Sequence, residues 1–377
     1  MIEARERPTG QERIMVLAPH PDDESIATGG VLLRAASAHA PVRVLYMTDG
    51  ENNPWAQRVT EGIWRITAVD RCRWGARRRR EALEALACLG IPPGAVRFLG
   101  LADQRLTDLL VDAEGEAVRR LVGEIAAWRP TELFVPSLLD RHPDHSATAI
   151  LAQIALAQSG REARPKVLTY TVHAPVAWRG ERTVRLQVLS RSERDAKEQA
   201  ILCHASQLRL RHRFLLHFVE EPERFELGHP TTIASDATHP LRLVRASCGE
   251  WSFALRGSFR LAIDRATLLL ISLGDDQMSS LSLPIPRLDG RSPLTDSSTG
   301  DNIGEVTTRW SKSRQVVTIA SSRLRNVDLR LAKLELQWNR RLGVFDRWPW
   351  LSFGLPTRGP ARARLESAER VGQYTGA

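Results

Sequence analysis

Cysteine is scarce in this chain, and long apolar segments are missing from it. The four cysteines among the 377 residues are scattered, and no two of them stand in C-x-x-C spacing. A disulfide framework or a cysteine-based zinc site needs clustered thiols, so we expect reduced, mostly structural cysteines. No apolar run reaches the ~18 residues that a membrane-spanning helix requires.

The opening residues do not resemble a secretory leader, and no internal repeat is visible in the sequence. The first residues, MIEARERPTGQERIM, are charged and contain no apolar core of a signal peptide, so a cytoplasmic location is expected. The composition, 42% hydrophobic and 26% charged, is typical of a soluble globular protein. The length exceeds that of one ordinary core, which predicts two domains.

Positive charge is in excess, and part of it is concentrated in one segment. The formal net charge is +9, and residues 71–80 (RCRWGARRRR) contain six arginines. Such a run suits an anionic partner, namely nucleic acid, a phosphate-bearing glycan or an acidic membrane. It equally suits the solvated start of a helix. We favour the helix, and expect no nucleic-acid partner, because no aromatic-interleaved binding module surrounds the run.

The first ~230 residues alternate short apolar runs with helix-like segments, a pattern typical of α/β domains. The apolar runs are 14–18, 42–47, 96–101, 132–136 and 166–172. The helix-like segments are 26–38, 78–89, 113–128, 145–158 and 192–204. Continuous apolar runs indicate strands buried on both faces. We therefore predict a doubly wound, Rossmann-like, mostly parallel sheet within a domain spanning 1–230.

The pattern changes after about residue 230. Trp251, Phe253 and Leu255 stand at alternate positions, and similar alternation recurs further along the chain. Period two with turn residues between the runs indicates antiparallel strands, so we predict an appended β-rich domain over 231–355. Substrate binding, covering of the active site and oligomerisation stay open as its role. The polar segment 289–302 is expected to be a loop, and 356–377 a loosely held tail.

Two polar clusters follow predicted strands directly. One is APHPDDE, residues 18–24, and the other is DRHPDHSA, residues 140–147. Ligand and catalytic groups of open parallel sheets collect at the carboxyl ends of the strands. The two clusters are therefore expected to converge, although ~120 residues separate them in sequence. A lone His–Asp pair at a strand end is usually a cap, but two such clusters weaken that interpretation.

Two histidines and one aspartate suit a catalytic divalent metal that keeps one position open for water. Zinc and iron(II) both fit such a set. The metal lowers the pKa of its water to about 7, and a second carboxylate can then act as the general base. His142 and His145 are three positions apart and share a face if a helix begins there. One of them can then ligate while the other contacts a substrate oxygen.

APHPDDE followed by TGG, with HPDH later, resembles the signature of the PIG-L/LmbE-like family of zinc-dependent deacetylases. The resemblance covers residues 13–227. It implies a hydrolase that removes the acetyl group from an N-acetylglucosamine-type conjugate and releases acetate and a free amine. It also implies one Zn²⁺ per chain, held by His20, Asp23 and His145, with Asp22 as the general base.

The resemblance implies further roles for residues around this centre. His142 is expected to stabilise the oxyanion, with Asp144 orienting it. Arg78, in an R-x-x-E helix, and Asp103 match family residues that contact the substrate. His204 stands where many members have tyrosine and is given no role.

Two alternatives stay open beside the deacetylase. One is an iron(II) enzyme that uses the same triad, although Asp22 would then have no obvious task. The other is a basic anion- or glycan-binding protein with a vestigial metal site. A phosphate or nucleotide on the sugar, recognised by the arginine run, is a hypothesis. His173, after a predicted strand, is interpreted as structural, like the remaining histidines.

Overall fold

The computed structural model describes most of the first 228 residues and the strands that follow them. The described ranges are 2–4, 10–111, 115–159, 165–173, 184–228, 239, 241–247, 250–256, 266–273, 278–285, 289–297, 299–310, 314–320, 329–336, 345–346, 348 and 350–352. The predicted tail, 356–377, lies outside these ranges.

The first sheet has eight strands and is mostly parallel. They are β1 (Ile2–Ala4), β2 (Ile14–Ala18), β3 (Val42–Thr48), β4 (Val96–Leu101), β5 (Glu132–Pro136), β6 (Lys166–Tyr170), β7 (Val184–Gln187) and β8 (Glu223–Leu227). Their spatial order is β1-β7-β8-β6-β5-β2-β3-β4. Strands β2 to β6 pair in parallel, whereas β8 runs antiparallel to β6 and β7. The predicted α/β class is confirmed.

Helices cover both faces of this sheet. They are α1 (Asp23–Ser37), α2 (Pro54–Glu61), α3 (Ala68–Cys88), α4 (Leu106–Val111), α5 (Glu116–Trp128), α6 (Pro143–Gln158), α7 (Arg191–Leu202) and α8 (Ala205–Glu220), with a 3-10 turn at Pro93–Ala95. Helix α3 begins earlier than predicted because Thr67 and Asp70 form a capping box there. The arginine run is therefore helical, as the favoured interpretation holds.

The sheet has an apolar core on each face, and β2 shows why. Ile14 and Val16 point into one core, whereas Met15 and Leu17 point into the other. Successive side chains of a strand face opposite sides, so only a strand buried on both faces reads as one continuous apolar run.

A buried ion pair fixes α1 against β8, the antiparallel strand of the sheet. Lys197 Nζ of α7 lies 2.8 Å from Glu223 Oε1 of β8. The same carboxylate accepts hydrogen bonds from Gly30 N at 2.7 Å and Val31 N at 3.2 Å in α1. A Cβ atom at Gly30 would lie 2.3 Å from Leu189, so the glycine lets α1 approach closely. The ion pair thereby sets the position of the helix that begins at Asp23, the last residue of the HPDD motif.

A second sheet of nine strands is antiparallel throughout its described pairings. It contains β9 (Leu241–Ser247), β10 (Glu250–Arg256), β11 (Ala266–Leu273), β12 (Met278–Pro284), β13 (Gly290–Asp296), β14 (Asn302–Trp310), β15 (Arg314–Ala320), β16 (Leu329–Leu336) and β17 (Leu351–Ser352). The order is β17-β16-β11-β12-β13-β14-β15-β10-β9. The β-rich prediction is confirmed, and the boundary near residue 230 stays a prediction.

The loop predicted over 289–302 is wrong for most of its length. Strand β13 occupies 290–296 and pairs with β12 and β14. Leu294 is its fully buried apolar side chain, so the segment reads as polar although its backbone is bonded on both sides. Polar composition indicates a loop only where the backbone has no sheet partner.

The second sheet packs on one face of the first. Leu269, Ile271, Leu331 and Trp350 belong to the same apolar core as Met15 of β2. Among the described residues, no helix combines the length and apolar character needed to cross a membrane.

Candidate active site

The two polar clusters lie side by side. Strands β2 and β5 are parallel neighbours, so the loops that leave their carboxyl ends emerge at the same edge of the sheet. The ring of His20 lies 4.7 Å from that of His142 and 5.4 Å from that of His145, between centroids. The convergence expected from the sequence is therefore observed.

Asp23 lies between two of these histidines. Its Oδ2 atom is 3.3 Å from His20 Nδ1 and 3.3 Å from His145 Nε2. The same atom accepts a hydrogen bond of 2.9 Å from the backbone N–H of His20. Burial by itself would raise the pKa of Asp23, but the neighbouring His145 and His20 hold that pKa well below its ordinary value. Asp23 is thus an ionised carboxylate between two imidazoles.

His145 is oriented by Asp140, a residue to which the sequence analysis assigned no role. Its Nδ1 lies 3.1 Å from Asp140 Oδ2, and its buried Nε2 faces Asp23 Oδ2 at 3.3 Å. Burial opposes protonation, but Asp140 and Asp23 raise the pKa of His145 to about 10. Metal-binding histidines typically give the other ring N–H to a carboxylate in this way.

The donor atoms available here fit a divalent metal. The described part of the chain contains two groups of three possible metal ligands. Within each group, the ligand atoms all lie within 4.8 Å of one another. One set is His20, His142 and His145, and the other is His20, Asp103 and Asp144. Imidazole and carboxylate donors, among them the buried Nε2 of His145 beside Asp23, suit zinc or a similar ion.

Asp22 occupies a strained position at the start of α1. Its φ of 143° is positive, which a residue with a side chain rarely adopts. Its backbone N–H donates to Glu24 Oε2 at 3.0 Å, and Arg78 Nη2 lies 3.3 Å from its Oδ2. Burial raises the pKa of Asp22, and the charge of Arg78 only partly offsets that rise. Asp22 is therefore a better proton acceptor than an ordinary carboxylate.

Arg78 is held beneath this carboxylate by the turn after β3. Its guanidinium donates to Gly50 O at 3.0 Å and to Pro21 O at 2.6 Å. Gly50 has a φ of 63°, and a Cβ atom there would lie 1.8 Å from Arg78 Nη1. The T-D-G turn therefore needs glycine both for its backbone and for the room that Arg78 takes.

His142 is a neutral imidazole with one ring nitrogen already used. Its Nδ1 accepts a hydrogen bond of 3.2 Å from the backbone N–H of Asp144. Burial, with the charges of His20 and His145, holds the pKa of His142 well below its ordinary value. A neutral ring whose Nδ1 accepts carries its proton on Nε2, so His142 can donate from that atom.

The Asp144 side chain is placed differently from the expectation that it orients His142. Its carboxylate accepts from Gln104 N at 2.7 Å and Leu106 N at 3.1 Å, and lies 3.3 Å from His20 Nε2. The link between Asp144 and His142 runs through the backbone N–H, because Pro143 places Asp144 in the first turn of α6.

A cavity of about 200 Å³ opens over these groups. Its polar lining includes Asn53, Arg78, Asp103, Gln104 and Gln207, and its apolar lining includes Trp55, Leu210, Phe214 and Phe345. Asp103 Oδ1 is 3.1 Å from His20 Nε2, so the predicted substrate contact also touches a predicted ligand.

The arginine run reaches this cavity through Arg78. Arg73 pairs with Glu61 and Asp70 away from it, and Arg79 pairs with Asp49. An anionic substrate stays a prediction.

Two histidines interpreted as having no site role lie beside the centre. The ring of His173 is 5.2 Å from that of His145 and stacks on Phe214 at 5.5 Å. Burial lowers the pKa of His173 to about 3, so this ring is neutral. His204 is buried, with Nε2 3.1 Å from Glu24 Oε1 and 3.2 Å from Ser25 Oγ. The one indication in the sequence that His173 could lie near the site was its position just after the strand that forms β6.

Residues 15–156 match the family described as GlcNAc-PI de-N-acetylase, PIG-L. This part of the chain resembles a PIG-L domain. This domain contains every residue to which a site role was assigned, from His20 to His145. The resemblance stated from the two motifs is confirmed.

Curated proteins are also similar to part of this chain. A 1D-myo-inositol 2-acetamido-2-deoxy-alpha-D-glucopyranoside deacetylase of Mycobacterium leprae is 32% identical over 161 residues, which are 39% of this chain and 51% of the relative. A probable N-acetyl-alpha-D-glucosaminyl L-malate deacetylase 2 of Bacillus anthracis is 28% identical over 41% of this chain and 64% of its own length. The chain thus spans about half the length of the first curated relatives it matches.

Solved structures also resemble the chain. The N,N'-diacetylchitobiose deacetylase from Pyrococcus horikoshii is 19% identical, with a TM-score of 0.43, over 58% of this chain and 84% of its own.

Proposed function

We propose that this protein is a metal-dependent N-deacetylase of an N-acetylglucosamine-type conjugate. The observation that best supports the proposal is the placement of Asp22, His20 and Asp23 at one cavity, with His145 Nε2 3.3 Å from Asp23 Oδ2, inside the region that matches PIG-L. The names of the relatives from M. leprae and B. anthracis both contain an N-acetylated glucosaminyl unit, which supports this substrate class. In this proposal, residues 1–230 form the deacetylase domain and residues 231–355 form an accessory domain.

We assign the metal ligands as His20, Asp23 and His145. The 3.3 Å contacts of Asp23 Oδ2 with His20 Nδ1 and His145 Nε2, with Asp140 on the other nitrogen of His145, support this set. Zinc held there would supply Lewis acidity, which polarises a carbonyl group and acidifies water. One ion per chain follows from one such set.

The chain's own residues then carry the proton and the developing charge. Asp22 accepts a proton from the water that attacks the acetamide carbon. His142 donates from Nε2 to the oxygen that becomes negative, an interaction worth about 3–4 kcal/mol in the transition state. Asp22 returns the proton to the nitrogen as the C–N bond breaks. Acetic acid and a free amine are the immediate products, and Asp22 is again a carboxylate. The acid then loses its proton to solvent and is released as acetate.

Arg78 and Asp103 are proposed to act at the sugar side of the cavity. Burial by itself would raise the pKa of Asp103, but its hydrogen bond to His20 keeps that pKa below the ordinary value. An ionised Asp103 can accept from a sugar hydroxyl. Arg78 lines the cavity and also steadies Asp22 through the 3.3 Å contact.

Acetate release tests the proposal directly. The zinc-loaded protein and its Asp22→Asn variant are incubated with free, inositol-linked, nucleotide-linked and polymeric N-acetylglucosamine. Zinc-dependent release that disappears in Asp22→Asn supports the deacetylase. No release from any member, with one zinc bound per chain, refutes it for sugar substrates. Release that needs iron(II) and not zinc would assign the other metal.

A further inference from the structure

The cavity is polar at its base and apolar at its outer side. Eight large hydrophobic side chains are exposed in the described part of the chain, and Trp55, Leu210 and Phe345 among them line this one cavity. Their exposed fractions are 61%, 48% and 39%. Exposed apolar side chains that cluster at one site, rather than scatter singly, mark a surface that binds something.

Phe345 comes from outside the PIG-L domain, in the segment between β16 and β17. Its ring lies 4.8 Å from that of His173 and 5.9 Å, edge-on, from that of His142. The guanidinium of Arg211 lies 5.7 Å from the Phe345 ring and 5.4 Å from the Phe214 ring. The aromatic ring therefore forms a wall of the cavity directly beside the proposed oxyanion donor.

Phe345 is held in this place by its neighbour. Asp346 N donates to Arg141 O at 2.8 Å, and Arg141 Nε donates back to Asp346 O at 3.3 Å. The Asp346 carboxylate lies 2.9 Å from Lys333 Nζ of β16. Arg141 directly precedes His142 in sequence, so the second sheet is tied to the loop that carries the proposed oxyanion donor.

The two sides of the cavity suit two parts of one molecule. Aspartate, amide and arginine groups at the base can bind sugar hydroxyls and the acetamide. The outer side offers aromatic and leucine side chains, with Arg211 lying against two rings. A group attached to the sugar contacts this outer side. If that group is apolar, binding buries no polar atom of the substrate that would lack a hydrogen-bond partner.

We propose that Phe345, with Trp55 and Leu210, forms a subsite for an apolar alkyl or aryl group carried by the amino sugar. Phe345 is then a specificity-determining residue, supplied to the PIG-L site by the second sheet. The inference rests on the proposed deacetylase function and narrows its substrate class to amphiphilic glycosides.

The test compares hexyl and methyl N-acetylglucosaminides. Wild-type zinc protein should have at least a tenfold higher kcat/KM for the hexyl glycoside, since one methylene in a fitted pocket is worth about tenfold or more. Phe345→Ala should reduce this hexyl-to-methyl ratio about tenfold, whereas Phe345→Leu should keep most of it. Trp64→Ala, which removes a more exposed aromatic ring that does not line the cavity, should leave the ratio unchanged.

Calorimetric binding of both glycosides to Asp22→Asn separates this inference from the function beneath it. Turnover of both glycosides with equal kcat/KM, or a preference that Phe345→Ala leaves intact, overturns the subsite and keeps the deacetylase. Tighter hexyl binding that depends on Phe345, without turnover, keeps the subsite and overturns the deacetylase. A preference for a phosphate-bearing or disaccharide glycoside over the hexyl one, lost in Arg211→Ala, would make the subsite polar and refute the inference.

Discussion

Replacing Asp140 with asparagine should weaken zinc binding without removing any proposed ligand. Asp140 is fully buried and serves four donors. Its Oδ2 lies 3.1 Å from His145 Nδ1 and accepts from the backbone N–H groups of Val172 and His173, while Oδ1 accepts from His142 N. An amide has only one acceptor oxygen, so either His142 N or the other three donors would face an NH₂ group.

The size of the effect follows from what His145 loses. Removal of the partner that orients a metal-binding histidine typically costs 10- to 100-fold in metal affinity, which is about 1.4–2.7 kcal/mol. Loss of the negative charge also lowers the pKa of His145 and eases competition by protons. Removing one negative charge takes away more electrostatic attraction from a dication than from a proton. The net effect is therefore still weaker zinc binding.

The assay is zinc competition against a chelator at pH 7, with folding checked by circular dichroism. Asp108→Asn is the matched control, because that side chain is 41% exposed and pairs with Arg105 at the surface. Zinc affinity equal to wild type in a folded Asp140→Asn protein would refute the assignment of His145 as a ligand oriented by Asp140. A loss in the Asp108→Asn control would mean that the effect is not specific.

Three further predictions concern the frame of the site. Gly62→Ala should cost only the ~1–2 kcal/mol of backbone strain, because its added Cβ meets nothing within 4 Å. Gly50→Ala should destabilise the fold by more than this and should also lower kcat. Equal unfolding free energies for the two variants would contradict the clash at Gly50. Lys197→Met should lower the free energy of unfolding in urea by about 3–5 kcal/mol, because it leaves the buried Glu223 without its cationic partner. Adding Glu223→Gln to this variant should recover part of the lost stability. If the effects of the two substitutions simply added, the ion pair would not be contributing. Zinc binding should release protons at pH 7, since the pKa of His145 is about 10 without metal and the ligand must be neutral. Binding should therefore strengthen as pH rises, and binding heats that do not vary with buffer ionisation enthalpy would contradict this.

The strands and the motif residues could be read from local sequence. Strands β2, β4 and β5 have the predicted bounds. In β2 and β5 burial on both faces makes the apolar run nearly continuous, whereas β4 is an edge strand with Arg97 exposed. The HPDD and HPDH segments were recognisable because histidine and carboxylate at two strand ends have few structural uses. Strand β8 and helix α8 were missed: ERFEL has no clear apolar run, and α8 contains a kink at Arg211 that interrupts its pattern.

The sequence by itself therefore determined the α/β class, the β-rich second part and the chemical types gathered at the proposed metal site. Only the tertiary structure decided which carboxylate orients which histidine, since Asp140 and Asp144 both stand near His142 and His145 in sequence. It also decided that Phe345 lines the cavity beside His142. That contact spans about 200 residues and depends on how two sheets pack through a shared apolar core, which no local pattern records.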